Sequence, residues 1–167
     1  MPAIDRLVSL FEHNLWANAQ LLEACAALTE EQLEASPDAL SEWTVRHTLL
    51  HLVQAQQAYV ELLTLPPEAR QSRVSVPFGE LGDSANRSGE ALLALARDDE
   101  GACPLQTIHT GDGHAVEPWV ILLQSINHAT DHRRQVCGML RALGVPAPRL
   151  DGWAFGGARG ALEPPLT

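Results

Sequence analysis

Between residues 124 and 137 the chain reads QSINHATDHRRQVC, which sets His128 and His132 four residues apart in a stretch free of glycine and proline. At about 100° per residue, the two rings stand roughly 40° apart on one helical face. Ile121, Ser125, Val136, Met139 and Leu143 share that face, so imidazoles take places that a bundle helix gives to its core. An unpartnered buried polar group costs roughly 2–7 kcal/mol, and the fold must therefore bring up something that satisfies both rings. Neutral imidazole is the commonest metal ligand. A bound cation would do this, provided a third ligand arrives from another helix.

The remaining segments are read for what they offer to this pair. Residues 4–28 carry Leu7, Phe11, Asn14, Asn18, Leu21, Cys25 and Leu28 at alternating spacings of four and three, the seam of a bundle helix. Asn14 and Asn18 should point inward beside something polar, with a role next to the site as one reading and a bond to backbone or a partner helix as the other. His13 falls off the seam and is expected in solvent. Trp16, also off it, is expected to pack on the C-terminal tail or on a second subunit. Thr29 with Gln32 forms a capping box.

A second long helix opens at Ser41 or Thr44 and runs to residue 65, before Pro66 and Pro67. Its seam reads Thr44, Thr48, His51, Ala55, Ala58 and Leu62, which makes His51 the preferred third ligand. His47 lies one turn earlier on nearly the same face and is the alternative; nearer the helix start, it is expected at the mouth of the site. Residues 68–77 read as loop. A third helix over residues 78–97, with Leu81, Ala85, Ser88, Leu92 and Leu95 on its seam, is weakened by Gly82 and Gly89. Residues 105–109 and 115–117 flank Thr110, Gly111, Asp112 and Gly113 as a short β-hairpin, leaving His109 and His114 solvated. The last long helix spans residues 119–143 and is stopped by Gly144, Pro146 and Pro148. In the Gly- and Pro-rich tail, residues 145–167, Trp153 and Phe155 are the candidates for docking on the bundle. The expectation is one all-α domain over residues 1–167, a four-helix bundle with a hairpin or loop insertion before the last helix.

Composition narrows the function. A net charge of −10 repels phosphate backbones and anionic lipid surfaces, so neither nucleic acid nor membrane is expected as a partner. Three cysteines, Cys25, Cys103 and Cys137, without CxxC spacing, indicate neither a disulfide framework nor a thiolate zinc site. The start of the chain lacks a basic segment followed by an apolar one, and no apolar run reaches membrane-spanning length. A cytoplasmic location is the expectation.

NLWAN at residues 14–18, EWTVRHTLLHL at 42–52, NHATDHRRQ at 127–135 and LDGWAF at 150–155, in this order, resemble the DinB-like superfamily, also described as the YfiT-like metalloenzyme fold. The resemblance implies an up, down, down, up four-helix bundle, often dimeric, holding a divalent metal on three histidines. On this chain those histidines fall at His51, His128 and His132. The family often has Gly where this chain has Arg134 and His where it has Gln124, which touches the surroundings of the site rather than the three ligands. The family takes its name from a DNA-damage-inducible gene, yet nothing in this acidic sequence supports DNA binding.

Three neutral histidines leave coordination positions open for water or substrate, as in catalytic zinc sites. Relatives suggested by the resemblance include thiol-dependent S-transferases and isomerases, so the leading expectation is a metal-dependent transferase acting on a small-molecule thiol and an electrophilic substrate, as a homodimer. Zinc or nickel is the expected metal, with iron or manganese as alternatives. A non-catalytic, stress-related metal- or ligand-binding protein and a metal-dependent hydrolase are the rival readings. Asp131 and Gln135 border the histidine face and are expected to orient its rings. Arg133 is expected in a structural ion pair, with an anionic thiol as a second possible partner.

Overall fold

Thr44 Oγ1 accepts a hydrogen bond from the His47 amide and Gly144 adopts φ +71°, and these two residues frame the helices that matter most. The computed structural model describes residues 6–37, 43–70, 76–97 and 107–162. The expected helix starts at residues 4 and 41, Cys103, and positions 105–106 of the hairpin lie outside them. The elements are α1 (Arg6–Cys25), α2 (Glu30–Leu33), α3 (Val45–Thr64), α4 (Leu81–Arg97), a two-stranded antiparallel hairpin β1 (Ile108–His109) and β2 (Ala115–Val116), α5 (Pro118–Ala142) and α6 (Gly152–Ala158).

The punctuation behaves as its chemistry requires. Thr29 and Gln32 close the capping box that starts α2. At the end of α5 the Gly144 amide bonds Arg141 O at 3.0 Å and the Val145 amide bonds Leu140 O at 2.8 Å, a Schellman cap that glycine completes without a Cβ clash. Gly89 does a different job within α4: a Cβ there would stand 2.6 Å from Leu15 Cδ1, so its lack of side chain lets α1 pack closely on α4.

Two apolar clusters set the architecture. One joins Leu21 and Cys25 of α1 with Leu49 and Leu52 of α3, Leu81 and Ala85 of α4, and Val136 and Leu140 of α5. The other joins Phe11, Leu63, Leu92 and Ile121, with Ile108 of the hairpin beneath them. The early half of α1 thus meets the late halves of α3 and α4 and the start of α5, so α1 and α5 run one way and α3 and α4 the other. Leu7, expected on the seam, is 43% exposed; the buried stripe of α1 begins only at Phe11.

A polar layer crosses the core. Arg133, 3% exposed, donates from one terminal nitrogen to Asn14 Oδ1 at 2.6 Å and Asn18 Oδ1 at 2.8 Å, and from the other to Thr130 Oγ1 at 2.9 Å. Asn18 Nδ2 donates to Gln56 Oε1, and Gln56 Nε2 donates to Ala85 O and Ser88 Oγ, each at 2.8 Å. All four long helices are tied together, and each buried amide has its partner, as burial demands. The expected ion pair is absent: among the described residues no carboxylate pairs with Arg133, and amide oxygens satisfy it instead. Burial pushes its pKa down to about 10, which still leaves the guanidinium charged at neutral pH.

The tail is more ordered than its composition suggests. Asp151 caps α6 by accepting from the Ala154 amide at 2.8 Å. Phe155 packs on Trp16, ring centroids 5.4 Å apart, so Trp16 faces the tail. Trp153 does not dock and is 73% exposed, because it stands about 200° round α6 from Phe155, whose side of the helix faces α1. His13, expected in solvent, is partly buried: its Nε2 lies 2.8 Å from Leu150 O, and its ring meets both Trp16 and Phe155. The returning tail brings it a backbone acceptor that helix periodicity does not encode.

Candidate metal centre

His51 sits in the second turn of α3, and His128 and His132 stand one turn apart on α5, the helix packed beside it. One ring nitrogen from each of the three lies within 4.8 Å of the others, and all three residues are half-buried. The ring centroids are 4.9 Å apart for His51 and His128, 4.8 Å for His51 and His132, and 4.4 Å for His128 and His132. The rings therefore occupy a rim between two helices rather than the deep core. On α5 the expected Ile121, Ser125, Val136 and Met139 are buried, but in the middle of the helix the buried stripe passes through Ala129 and Arg133, each one residue, or about 100°, on from His128 and His132.

The donor set fits a divalent cation. The Nε2 atoms of His51 and His128 face each other at 3.0 Å. Bonds of about 2.0–2.1 Å at angles of roughly 90–110° hold two nitrogens about 2.9–3.4 Å apart, and the observed separation lies in that range. His132 Nδ1 lies 3.0 Å from Gln135 Oε1. Because a carbonyl oxygen only accepts, Nδ1 carries the proton and the Nε2 lone pair is left free toward the cluster.

Aromatic rings wall the site. The Trp43 indole lies nearly parallel to His47, with centroids 4.5 Å apart at 6°, and to His132, 5.7 Å apart at 13°. It also meets His51 edge-on at 4.8 Å. Tyr59 meets His128 edge-on at 5.7 Å.

Of the residues singled out in the sequence, His51, His128, His132 and Gln135 come together. His47 stays outside the cluster, exposed and stacked on Trp43. Asn14 and Asn18 point inward as expected, yet their partners are Arg133 and Gln56 rather than a group at the histidines. Asp131 is exposed and orients none of the rings. His109 and His114 are exposed on the hairpin. Trp43 and Tyr59 went unassigned in the sequence. Trp43 precedes the helix, where periodicity has nothing to say, but its place just ahead of the Thr44 cap was a usable signal. Tyr59 sits two turns beyond His51 on α3, a spacing that would have placed it near the site.

A helical bundle with three imidazoles converging from two adjacent helices, half open to solvent, defines a class of proteins equipped to hold a metal ion on histidine. Comparison with known proteins gives the family. The profile of the DinB family matches residues 3–160, and the chain belongs to that family. It is 24% identical over 158 residues to Protein DinB of Bacillus subtilis (strain 168), covering 88% of this chain and 91% of that protein. Its fold is shared with a crystal structure described as a DinB family member from Exiguobacterium sibiricum, with a TM-score of 0.70, 18% identity, and coverage of 89% of this chain and 100% of that one. No helix among the described residues is long and apolar enough to cross a membrane.

Proposed function

We propose that this protein is a metal-dependent transferase that joins a low-molecular-weight thiol to an electrophilic substrate, with His51, His128 and His132 as the metal ligands. The observation that carries the reading is the convergence of three imidazole nitrogens within 4.8 Å at a half-buried rim. Three protein donors leave coordination positions for an incoming molecule, and the partial exposure gives that molecule a way in. A divalent metal bound there supplies Lewis acidity, which favours the thiolate form of a bound thiol at neutral pH.

The chain's own residues do the rest. Gln135 holds the His132 tautomer that presents Nε2. Trp43 and Tyr59 screen two sides of the cluster from water. In the overall reaction the thiol sulfur bonds to the electrophilic carbon, the leaving group departs with the bonding pair, and the thiol proton passes to the leaving group or to solvent. Zinc and nickel suit three imidazoles, and iron and manganese remain in competition, since affinity order alone does not set occupancy. We also propose a homodimer: Leu7 and Leu10 on α1 and Trp119 and Leu123 on the adjacent α5 are exposed apolar side chains that a second copy would cover.

The test is to purify the protein without a histidine tag, measure bound metal, and follow loss of thiol against a panel of electrophiles. Thiol loss that requires metal and disappears in His128→Ala is the expected result. Metal binding without thiol consumption would favour the non-catalytic reading, and ester or amide turnover without added thiol would favour a hydrolase.

A further inference from the structure

We propose that Trp43 is a positioning residue of the histidine cluster, fixing the ring plane of His132 and so the direction in which its Nε2 presents to a metal; this rests on reading the cluster as a metal centre. A histidine ring turns about χ2 in a broad energy well, so a ligand ring needs more than one constraint. Gln135 supplies the first, an in-plane bond to Nδ1 at 3.0 Å. That bond leaves the ring free to rock about the line joining the two atoms.

Trp43 removes this freedom. Its indole lies against His132 at 13° with a centroid separation of 5.7 Å, an offset stack of the kind aromatic pairs favour. Rocking His132 out of plane would drive it into the indole. The indole is itself held by a second stacked ring, His47, at 4.5 Å and 6°. His47 in turn is fixed by the start of α3, where its amide donates to Thr44 Oγ1 at 3.1 Å. The helix cap, the exposed His47, Trp43 and His132 thus form one chain of contacts from the backbone to the site. The edge of the same indole meets His51 at 4.8 Å, so a single side chain braces ligands on both helices.

The experiment compares wild type with Trp43→Ala, Trp43→Leu and Trp43→Phe, using Trp153→Ala on the exposed face of α6 as control. In metal-free protein, the ring protons of His132 should be shifted by the indole ring current in wild type and move toward unstacked values in the Ala and Leu variants. Affinity for zinc and for nickel, measured by competition with a chromophoric chelator, should fall about 10–100-fold in Trp43→Ala, as for other groups that orient metal ligands. Trp43→Leu, which keeps apolar bulk without a flat face, should also bind weakly; Trp43→Phe should recover most of the affinity, and Trp153→Ala should match wild type.

If folded Ala and Leu variants bind metal as wild type does, Trp43 is a packing residue, and the metal centre stands without it. Equal losses in the Leu and Phe variants would mean that bulk specific to indole, rather than a parallel face, is what matters, and would overturn the proposal too. Wild-type protein that takes up neither metal would sink the metal centre and this role together.

Discussion

The Nε2 atom of His51 on α3 faces the Nε2 atom of His128 on α5 at 3.0 Å. Two lone pairs held this close repel, so without a cation one ring must donate a proton to the other. A bound metal would relieve that constraint and clip α3 to α5. Bound metal at about 100 times its dissociation constant should stabilise the fold by about 2.7 kcal/mol. Chelator should therefore lower the melting temperature of wild type, and leave that of His51→Ala or His132→Ala unchanged. An equal response in wild type and variants would count against the cluster as the binding site.

Arg133→Ala should be among the most damaging single substitutions outside the site. It strips the buried Asn14 and Asn18 oxygens of their donor, and the charged hydrogen bonds lost are worth about 1.5–3 kcal/mol each. Urea unfolding should show a loss of about 3 kcal/mol or more. A triple replacement by apolar residues of similar volume, Arg133→Met with Asn14→Leu and Asn18→Leu, should recover only part of it, because Asn18 also donates to the buried Gln56 Oε1, which then loses that donor. The contrast between the single and triple variants is the measurement that matters.

At Gly89 the sign depends on the size of the added group. Alanine gains about 1 kcal/mol of helix propensity over glycine, and the one atom its Cβ would crowd is the movable Leu15 Cδ1 at 2.6 Å, with Gln56 Nε2 at an ordinary contact distance of 3.5 Å. Gly89→Ala should thus leave stability nearly unchanged. Gly89→Leu should cost about 1–3 kcal/mol by overpacking, because it must push α1 from α4. Thermal melts of the pair decide this, and a large loss for alanine would mean that Leu15 has nowhere to go.

Cys25 is buried, and burial together with nearby Cys137 pushes its thiol up to about 12; burial raises Cys137 as well. Thiolate is the reactive form, so both should be inert at pH 8. In a Cys103→Ser variant, a disulfide-exchange reagent should find almost no thiol until denaturant is added. Prompt reaction of either cysteine in the folded protein would contradict this packing.

Asp151 gives a pH signature confined to the tail. The Ala154 amide and, less, Arg149 hold its carboxyl below the ordinary value of 3.8. A lowered folded pKa means that the cap's stabilisation is present above the unfolded value of about 3.9 and is lost as pH falls through the folded one. Amide exchange at Ala154 should accelerate in that acid window and not at neutral pH. Asp151→Asn, which keeps the capping oxygen, should abolish the dependence.

How far the sequence could be read differs by element. The long helices were legible, and so were the ends set by Thr44, Gly144 and the prolines, which act on their own neighbours; α1, without such a stop, ends at Cys25 rather than the expected residue 28, and α4 begins at Leu81 rather than residue 78. The grouping of His128 with His132 followed from spacing along one helix, and His51 from its place on the α3 seam. Harder to read was how each helix is turned. Ile121, Ser125, Val136 and Met139 of α5 are buried as expected, but between them the stripe takes Ala129 and Arg133 instead of His128 and His132, a choice that depends on which neighbours flank the helix.

What the chain determines alone is therefore local: where helices start and stop, and which residues share a face. Only the tertiary structure decided that Arg133 goes inward to Asn14 and Asn18, that Leu150 returns to His13, and that Trp43 stacks with both His47 and His132. Helical periodicity fixes an angle about one axis. The partner waiting at that angle is set by packing between segments far apart in the chain, where apolar burial and the pairing of every buried polar group must be satisfied together.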